Sequence, residues 1–256
     1  MPLSQEEIEK LHIIVKNAGD ILMGFYQTQL DRYHKEDGSF ATQADHASEK
    51  YLIEELSKMI PGAGFYTEET GIIDGTSEYS WVIDPLDGTT NFAAGIPYFC
   101  VSVALTCHNE PVVGCIYNPM TRELFYAEKG KGAYCNGNRL AASNIKESKR
   151  AILAIECAEE DFAVVTSVWD FSSSIRLCGA SALDIAYCAA GRYDAVILTQ
   201  FKWWDIAAGI ILIKEAHGFI VTFEDKVPDF SSKSIVAGNL FLVDQYLELI
   251  KDVNSI

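Results

Sequence analysis

Residues 81–92, WVIDPLDGTTNF, constrain this chain more than any other segment. An apolar run typical of a strand ends in Asp84, and the proline that follows fixes the backbone and keeps Asp84 extended. Asp87 comes next, and Gly88 then permits a close backbone approach before a predicted helix, whose first amides attract an anion. The two carboxylates, the carbonyl of Leu86 and these amides together predict a site for a hard cation and a phosphate. A plain Asp-Gly turn with a helix cap is the simpler alternative.

Two other kinds of phosphate chemistry do not fit the segment. An aspartyl-phosphate enzyme of the haloacid dehalogenase type requires DxDGT, with one residue between its aspartates, whereas Pro85 and Leu86 both separate Asp84 from Asp87. A P-loop requires GxxxxGK followed by Ser or Thr, and the sequence contains no such string. We therefore interpret the two aspartates as metal ligands.

Further acidic candidates are Glu68 and Glu69, in FYTEETG, and Asp205, in KWWDIAAG. Adjacent glutamates repel, so an exposed pair is usually only solvated, but a cation held between them and Asp84 would remove that penalty. Asp205 stands at the start of a predicted apolar helix, where a helix cap is the simplest explanation. Its role as a ligand therefore depends on the other motifs. His217 indicates a helix C-terminal cap or a surface group rather than a ligand.

Charge and cysteine usage limit the partners and the compartment. The net charge of −16 disfavours a nucleic-acid partner, although bound cations would still allow an anionic small molecule. The start of the sequence does not read as a leader, and no run of about 18 uncharged apolar residues occurs, which predicts a cytoplasmic protein without a membrane partner. The 7 cysteines are odd in number and form no CxxC pair. Six of them lie in apolar segments and indicate core positions in a reducing compartment.

Apolar spacing predicts a layered α/β fold. Helices are predicted over residues 5–30 and 45–59, strands over 81–83, 101–106, 112–117 and 124–127, and a hairpin-type turn at 136–137. After a polar connector at 142–149 the order is strand (151–155), helix, strand, helix (181–190), strand (195–198), helix (205–216) and strand. This order predicts an α+β part over residues 1–142 and an α/β part over residues 143–256.

In this order, the motifs resemble the inositol monophosphatase family. The resemblance rests on Lys35…Asp45, Glu68-Glu69, DPLDGTT (84–90), WDIAAG (204–209), GIPYFCVSVAL (95–105) and RLCGASALD (176–184), and it covers nearly the whole chain. It implies a layered αβαβα sandwich of the type found in this family and in fructose-1,6-bisphosphatases. It also implies a homodimer and Mg²⁺-dependent hydrolysis of a small-molecule phosphate monoester.

The resemblance further implies a role for each matching residue. Two or three Mg²⁺ ions, for which Mn²⁺ can substitute, would be held by Glu68, Asp84, the Leu86 carbonyl, Asp87 and Asp205. Asp45 and Thr89 would orient the attacking water, and Glu69 would support the ligands. Contacts to phosphate and substrate are implied for Gly88, Thr89, Arg176, Gly179, Ala180 and Ser181. Four carboxylates in one pocket would repel one another, so we expect Mg²⁺ to stabilise the fold.

The substrate is less closely defined. Inositol-specific relatives carry a glutamate seven residues before the aspartate of the WD motif, whereas Leu198 stands there and cannot accept a hydrogen bond from a hydroxyl. Residues 35–45, KEDGSFATQAD, are similar to the form seen in relatives that act on histidinol phosphate or 3′-phosphoadenosine 5′-phosphate. Inositol phosphate is favoured, with these two, fructose 1,6-bisphosphate and NADP as alternatives. A non-catalytic binding protein with the same fold also stays open, whereas oxygen-only ligands favour Mg²⁺ or Mn²⁺ over Zn²⁺.

Overall fold

The structure is a computed structural model that describes residues 3–34, 40–158 and 161–253. Lys35, which contributes to the resemblance, lies outside the described residues. In these ranges the helices are α1 (Gln5–Phe25), α2 (Gln43–Ser57), α3 (Thr89–Ala94), α4 (Phe162–Trp169), α5 (Ser181–Ala189), α6 (Trp203–Glu215) and α7 (Leu240–Val253). The strands are β1 (Arg32–His34), β2 (Phe40–Thr42), β3 (Gly64–Thr67), β4 (Gly71–Ile73), β5 (Tyr79–Asp87), β6 (Cys100–Cys107), β7 (Glu110–Asn118), β8 (Glu123–Glu128), β9 (Gly132–Cys135), β10 (Asn138–Arg139), β11 (Ile152–Glu156), β12 (Ser174–Arg176), β13 (Ala195–Thr199), β14 (Phe219–Val221) and β15 (Ser234–Gly238).

Two sheets organise the molecule. The large sheet has the strand order β10-β9-β8-β7-β6-β5-β3-β4, and the small sheet has the order β12-β11-β13-β15-β14. β3 and β5 are parallel neighbours in the large sheet, where the other neighbouring pairs are antiparallel. In the small sheet β11 is parallel to both β12 and β13. β1 and β2 form a separate antiparallel pair.

Helices and sheets alternate in five layers. α1 and α2 pack on one face of the large sheet, α5 and α6 lie between the two sheets, and α4 and α7 cover the outer face of the small sheet. Three buried apolar clusters fill the boundaries between layers: one under α1 and α2, one around α5 and α6 between the two sheets, and one under α4 and α7. The expected αβαβα sandwich is therefore confirmed. The boundary between residues 142 and 143 stays a prediction, because α5 and α6 from the second part contact the strands of the first.

The helix α6, which contains the WDIAAG segment and lies between the two sheets, has no polar face over most of its length. A helix that contacts protein on every side needs no polar face, and α6 is buried from Ile206 to Ile213. Glycines set its close contacts: a Cβ at Gly209 would lie 2.5 Å from Ile185 Cγ2, and one at Gly114 would lie 2.5 Å from the Ala208 carbonyl oxygen. The small residues therefore allow α6 to pack tightly against both α5 and β7.

Several predicted boundaries need correction. The first helix ends at Phe25 rather than at residue 30, because Tyr26 is extended. The second helix begins at Gln43, two residues before Asp45, with Thr42 as its N-cap. Of the cysteines placed in the core, Cys107, Cys157 and Cys178 are only partly buried, and the 7 thiols are all free. The exposed His217 follows α6 in a left-handed conformation, as a terminal surface group would.

The turn at Asn136 and Gly137 is confirmed, since both residues have positive φ, as a type I′ hairpin requires. No helix within the described ranges has the length and apolar character that a bilayer crossing demands.

Candidate active site

A bulge in β5 brings Asp84 and Asp87 together. Asp84 pairs with Ser102 and Asp87 with Cys100, so that a step of three residues on β5 faces a step of two on β6. In a regular strand, residues three apart point to opposite faces of the sheet. The extra residue in the bulge brings Asp84 and Asp87 to the same face. The Leu86 amide donates to Asp84 Oδ1 at 3.0 Å and closes the turn after Pro85. Both aspartates are buried, at 2% and 7% exposure, and each raises the electrostatic cost of the other's charge.

Glu68 and Asp205 reach the same place from neighbouring elements. The register of β3 and β5 pairs Thr67 with Ile83, so the next residues, Glu68 and Asp84, lie side by side at the carboxyl ends of parallel strands. The Glu68 amide extends the pairing by donating to the Ile83 carbonyl at 3.2 Å. Asp205 is the third residue of α6, not its N-cap, and its Oδ2 accepts the Lys202 amide at 2.7 Å.

The electrostatics of these four carboxylates match a cation site. Burial raises the pKa of Asp84 well above its usual value, and Glu68, Asp87 and Asp205 add to the rise. The pKa of Asp87 is likewise well raised, by burial and by Asp205. Burial raises the pKa of Asp205 to about 7, with Glu68 adding to the rise and the Lys202 amide opposing it. Such a cluster repels itself at neutral pH, and its donors are all oxygens, which fits Mg²⁺ or Mn²⁺.

Asp45 and Thr89 form a fixed pair beside the cluster. Asp45 is the third residue of α2, and its Oδ2 accepts the Thr42 amide at 2.7 Å and the Thr42 hydroxyl at 2.6 Å. Its Oδ1 accepts the Thr89 hydroxyl at 3.1 Å, and that hydroxyl also lies 3.0 Å from the Leu86 carbonyl oxygen. Burial raises the pKa of Asp45, and its bonds from Thr42 oppose the rise. Asp45 is fully buried, so that Thr89 is its link to the cluster.

Gly88 and the segment before α5 face each other across the site. Gly88 has φ +86°, and a Cβ there would lie 3.1 Å from both the Gly179 carbonyl oxygen and the Ala180 Cβ. Asn91, which the sequence analysis did not single out, holds this arrangement by donating to the carbonyls of Tyr98, Cys178 and Gly179 at 2.8, 2.7 and 3.2 Å. The first turn of a helix thus lies next to a loop from the second half of the chain.

The start of α5 also binds Asp87 directly. The amides of Ala182 and Leu183 donate to Asp87 Oδ2 at 2.9 and 3.3 Å. Free amides at a helix N-terminus favour a negative charge. These bonds therefore orient one oxygen of Asp87 and attach the second half of the chain to the bulge of β5.

Glu49 is a site residue that sequence reasoning missed. It is 2% exposed, and its carboxylate accepts the amides of Glu69 and Thr70 at 2.9 and 2.8 Å and the Thr70 hydroxyl at 2.5 Å. It thereby fixes the turn that carries Glu68 and Glu69, both partly buried. Its position four residues after Asp45, on the same face of α2, was the available signal.

Glu156 was missed as well. It ends β11, and its Oε2 accepts the Ser181 hydroxyl at 2.9 Å. Burial raises its pKa, which the Ser181 hydroxyl and the amides of Gly179 and Ala180 oppose. Its charge adds to the raised pKa values of Asp87 and Asp205, so it faces the cluster. The signal was an acidic residue that ends an apolar strand, as Asp84 does.

Arg176 and Leu198 do not contribute polar groups to this centre. The exposed Arg176 guanidinium donates within its own strand, to Ser174 Oγ at 2.5 Å and to the Ile175 carbonyl at 3.0 Å. Within the described ranges it forms no ion pair with the clustered carboxylates. Leu198 is fully buried in the cluster between the sheets. The role of Arg176 in substrate binding stays a prediction.

A separate group of side chains whose types can ligate a metal lies at the far end of β5 and β6. Glu78, Cys107 and His108 approach one another there, and His108 Nε2 lies 3.2 Å from Glu78 Oε2. The His108 side chain is 77% exposed, as is common for a solvated surface pair. This group is distinct from the buried acidic centre.

Clustered carboxylate oxygens at strand ends and helix starts, beside a glycine turn, are chemically suited to metal-assisted phosphate chemistry. A family model described as the inositol monophosphatase family matches residues 4–255. The chain belongs to this family, which together with the fold supports phosphatase activity.

Three relatives illustrate the range of similarity. An inositol-1-monophosphatase of Mesorhizobium japonicum is 40% identical over 227 residues, which cover 85% of each chain. The Nus factor SuhB of Escherichia coli K12 is 35% identical over 247 residues, covering 93% of this chain and 92% of the relative. The solved structure of the extragenic suppressor protein suhB from Bartonella henselae superposes with a TM-score of 0.92 at 36% identity, covering 95% of this chain and 98% of that one.

Proposed function

We propose that this protein is a Mg²⁺-dependent hydrolase of small-molecule phosphate monoesters. One observation carries the proposal: Glu68, Asp84, Asp87 and Asp205 converge from three distant stretches of the chain into one self-repelling cluster. A chain that serves only as a scaffold has no physical need for this cluster. The name of the Mesorhizobium relative makes an inositol phosphate the first substrate to test.

Glu68, Asp84, Asp87, Asp205 and the Leu86 carbonyl would hold two or three Mg²⁺ ions. When bound, such ions acidify a water molecule and neutralise charge on the phosphoryl group, without a covalent enzyme intermediate. The Leu86 carbonyl oxygen, 3.0 Å from the Thr89 hydroxyl, has a second lone pair for this role. Mn²⁺ accepts the same oxygen ligands and should substitute.

Asp45 and Thr89 would orient the water. When the Thr89 hydroxyl donates to Asp45 Oδ1, the lone pairs of the hydroxyl oxygen are free to accept a hydrogen bond from a water molecule on the side of the cluster. Asp45 cannot rotate away, because Thr42 holds its other oxygen. The proton of the attacking water would pass toward Thr89 and Asp45, while Glu49 and Glu69 keep the Glu68 turn in place.

The phosphate would lie between the two facing turns. The amides of Gly88 and Thr89 are proposed as donors to its oxygens, with Gly179, Ala180 and Ser181 on the substrate side. Arg176 would have to leave its partners in β12 to contribute. The burial of Leu198 supports a pocket that differs from inositol-specific relatives, so histidinol phosphate, 3′-phosphoadenosine 5′-phosphate, fructose 1,6-bisphosphate and NADP remain in the comparison. We further propose a cytoplasmic homodimer without a nucleic-acid or membrane partner.

A phosphate-release panel tests the proposal. The purified protein is assayed with each named ester, with and without Mg²⁺, beside Asp87→Asn and the exposed control Asp20→Asn on α1. We expect Mg²⁺-dependent release with at least one ester, a loss of several orders of magnitude in Asp87→Asn, and full activity in Asp20→Asn. A wild-type protein that releases no phosphate from any ester supports the scaffold alternative, and an active Asp87→Asn variant removes the proposed site.

A further inference from the structure

Glu156 and Leu198 occupy equivalent positions on adjacent strands. β11 and β13 are parallel, and their register pairs Glu156 with Leu198. Paired residues of parallel strands point to the same face, and here that face carries Ala154 and Val196 toward the middle helices. Leu198 is fully buried among apolar groups. At this end of the small sheet Glu156 therefore supplies a polar group that its neighbour lacks.

One oxygen of the Glu156 carboxylate accepts a direct side-chain hydrogen bond, and the amides of Gly179 and Ala180 also favour the charge. The Oε2 atom of Glu156 accepts the Ser181 hydroxyl at 2.9 Å. Its Oε1 is buried and has no hydrogen-bond partner in the part of the chain that the structure describes. A buried acceptor without a donor is costly, so a ligand that brings a donor would recover that free energy.

A cavity opens between Glu156 and the acidic cluster. It measures about 330 Å³ and is lined by Glu156, Ser181, Thr199, Gln200, Phe201 and Asp205. This volume suits a small ligand. Because Asp205 belongs to both the cavity and the proposed cation site, a phosphate bound at the cluster would leave its alcohol portion in this cavity. Two carboxylates in the wall disfavour a second phosphate there.

We infer that Glu156 determines substrate specificity by accepting a hydrogen bond from the alcohol portion of the phosphate ester. This inference rests on the proposed phosphatase function. The group recognised is a donor next to the phosphorylated carbon, either a hydroxyl of a polyol phosphate or an ammonium of an amino-alcohol phosphate. Esters with a second phosphate on that side are excluded.

Steady-state kinetics of Glu156→Leu and Glu156→Gln test the inference. The substrates are myo-inositol 1-phosphate, with hydroxyls, histidinol phosphate, with an ammonium, and phenyl phosphate, with neither. For the better of the first two, Glu156→Leu should raise KM about 10- to 100-fold with kcat within about 3-fold, as expected for a lost bond to a charged group. Glu156→Gln should fall between wild type and Glu156→Leu. For phenyl phosphate, the loss in kcat/KM should be at least about 5-fold smaller than for the better of the first two, because only the effect of Glu156 on the cluster remains.

The outcomes separate the two claims. Equal losses on all three esters would show that Glu156 acts on the cation site or on folding, and unchanged KM values would show that it does not meet the substrate. Either result overturns the inference while the phosphatase function stands. If wild type hydrolyses none of the esters, the proposed function fails and the inference fails with it. Glu156→Gln keeps the shape of the side chain and serves if Glu156→Leu does not fold.

Discussion

Asp45 Oδ1 and Thr89 Oγ1 lie 3.1 Å apart although 44 residues separate them in the sequence. Each comes from the first turn of a helix, α2 and α3. Both residues lie beside the acidic cluster, since the charge of Glu68 acts on Asp45 and Thr89 Oγ1 lies 3.0 Å from the Leu86 carbonyl oxygen. The pair joins a fully buried carboxylate to a partly exposed hydroxyl. The hydroxyl therefore provides the route by which the charge of Asp45 can act on a water molecule.

Replacing Thr89 should remove this route. We expect Thr89→Ala to lower kcat by about 10²- to 10⁴-fold, the usual contribution of a positioned proton acceptor, with little change in KM. Thr89→Ser keeps the hydroxyl and should recover most of the rate. Both variants should unfold near the wild-type temperature. Comparable rates for Thr89→Ala and wild type would exclude the pair from the reaction.

The cluster should make stability depend on both pH and Mg²⁺. The pKa of Asp205 is raised to about 7 from 3.8, so its contribution to the free energy of unfolding is present below pH 3.8 and lost as pH rises through about 7. In EDTA the melting temperature should therefore fall between pH 5 and pH 8. Mg²⁺ should oppose the fall, contributing about 2.7 kcal/mol at a hundred times its dissociation constant.

Asp205→Asn is the matched variant for this melting experiment. It lacks the charge that repels its neighbours, so its melting temperature in EDTA should be less sensitive to pH, and it should gain less from Mg²⁺. A monovalent salt of equal ionic strength controls for screening. A wild-type response to Mg²⁺ no larger than the response to that salt would mean that the carboxylates do not hold a cation.

Much of the fold and part of the site could be predicted from short-range pattern. The DPLDGTT segment indicated a cation site because local chemistry, a proline turn and a glycine, fixes its backbone. Asp205 in the WDIAAG segment was assigned to the same site only through the family resemblance. β3 was not predicted, since 4 residues are too few for a period. α7 was also missed, although Leu242, Val243, Tyr246 and Ile250 repeat at helical spacing on its buried face.

The residues that long-range packing brings in could not be derived in the same way. Glu49, Asn91 and Glu156 lie in segments without a distinctive local motif. Their roles depend on hydrogen bonds with carbonyls, amides and hydroxyls up to 88 residues away. The bulge between Asp84 and Asp87 depends on how β5 pairs with β6, and this register cannot be derived from the sequence of β5 alone. The spacing of apolar residues predicts which face of a helix or strand is buried. The contacts of these residues depend instead on how the helix and sheet layers pack against one another.

Glu49 should act on the cation site through the turn it holds. Glu49→Gln replaces one accepting oxygen by a donor, next to two amides that also donate. We expect a loss of about 1–3 kcal/mol in the free energy of unfolding and a Mg²⁺ requirement that rises about 10- to 100-fold. Glu54→Gln, on the same helix with a side chain 63% exposed, should change neither quantity appreciably. An unchanged Mg²⁺ titration in Glu49→Gln would restrict its role to folding.

Gly88 should not tolerate a side chain, and a comparison with Gly137 separates the cost of the backbone conformation from the cost of the close contacts. Gly88 and Gly137 have nearly the same φ, +86° and +81°, but a Cβ at Gly88 would lie 3.0 Å from the Tyr98 carbonyl oxygen, whereas one at Gly137 would meet nothing within 4 Å. Both alanine variants incur the left-handed backbone cost, about 1–2 kcal/mol. Only Gly88→Ala should also displace the facing loop and lower phosphate release by at least about 10-fold, because a small misplacement of positioning groups is costly in rate. Equal activity of the two variants would mean that the close approach of the turns does not matter for phosphate binding.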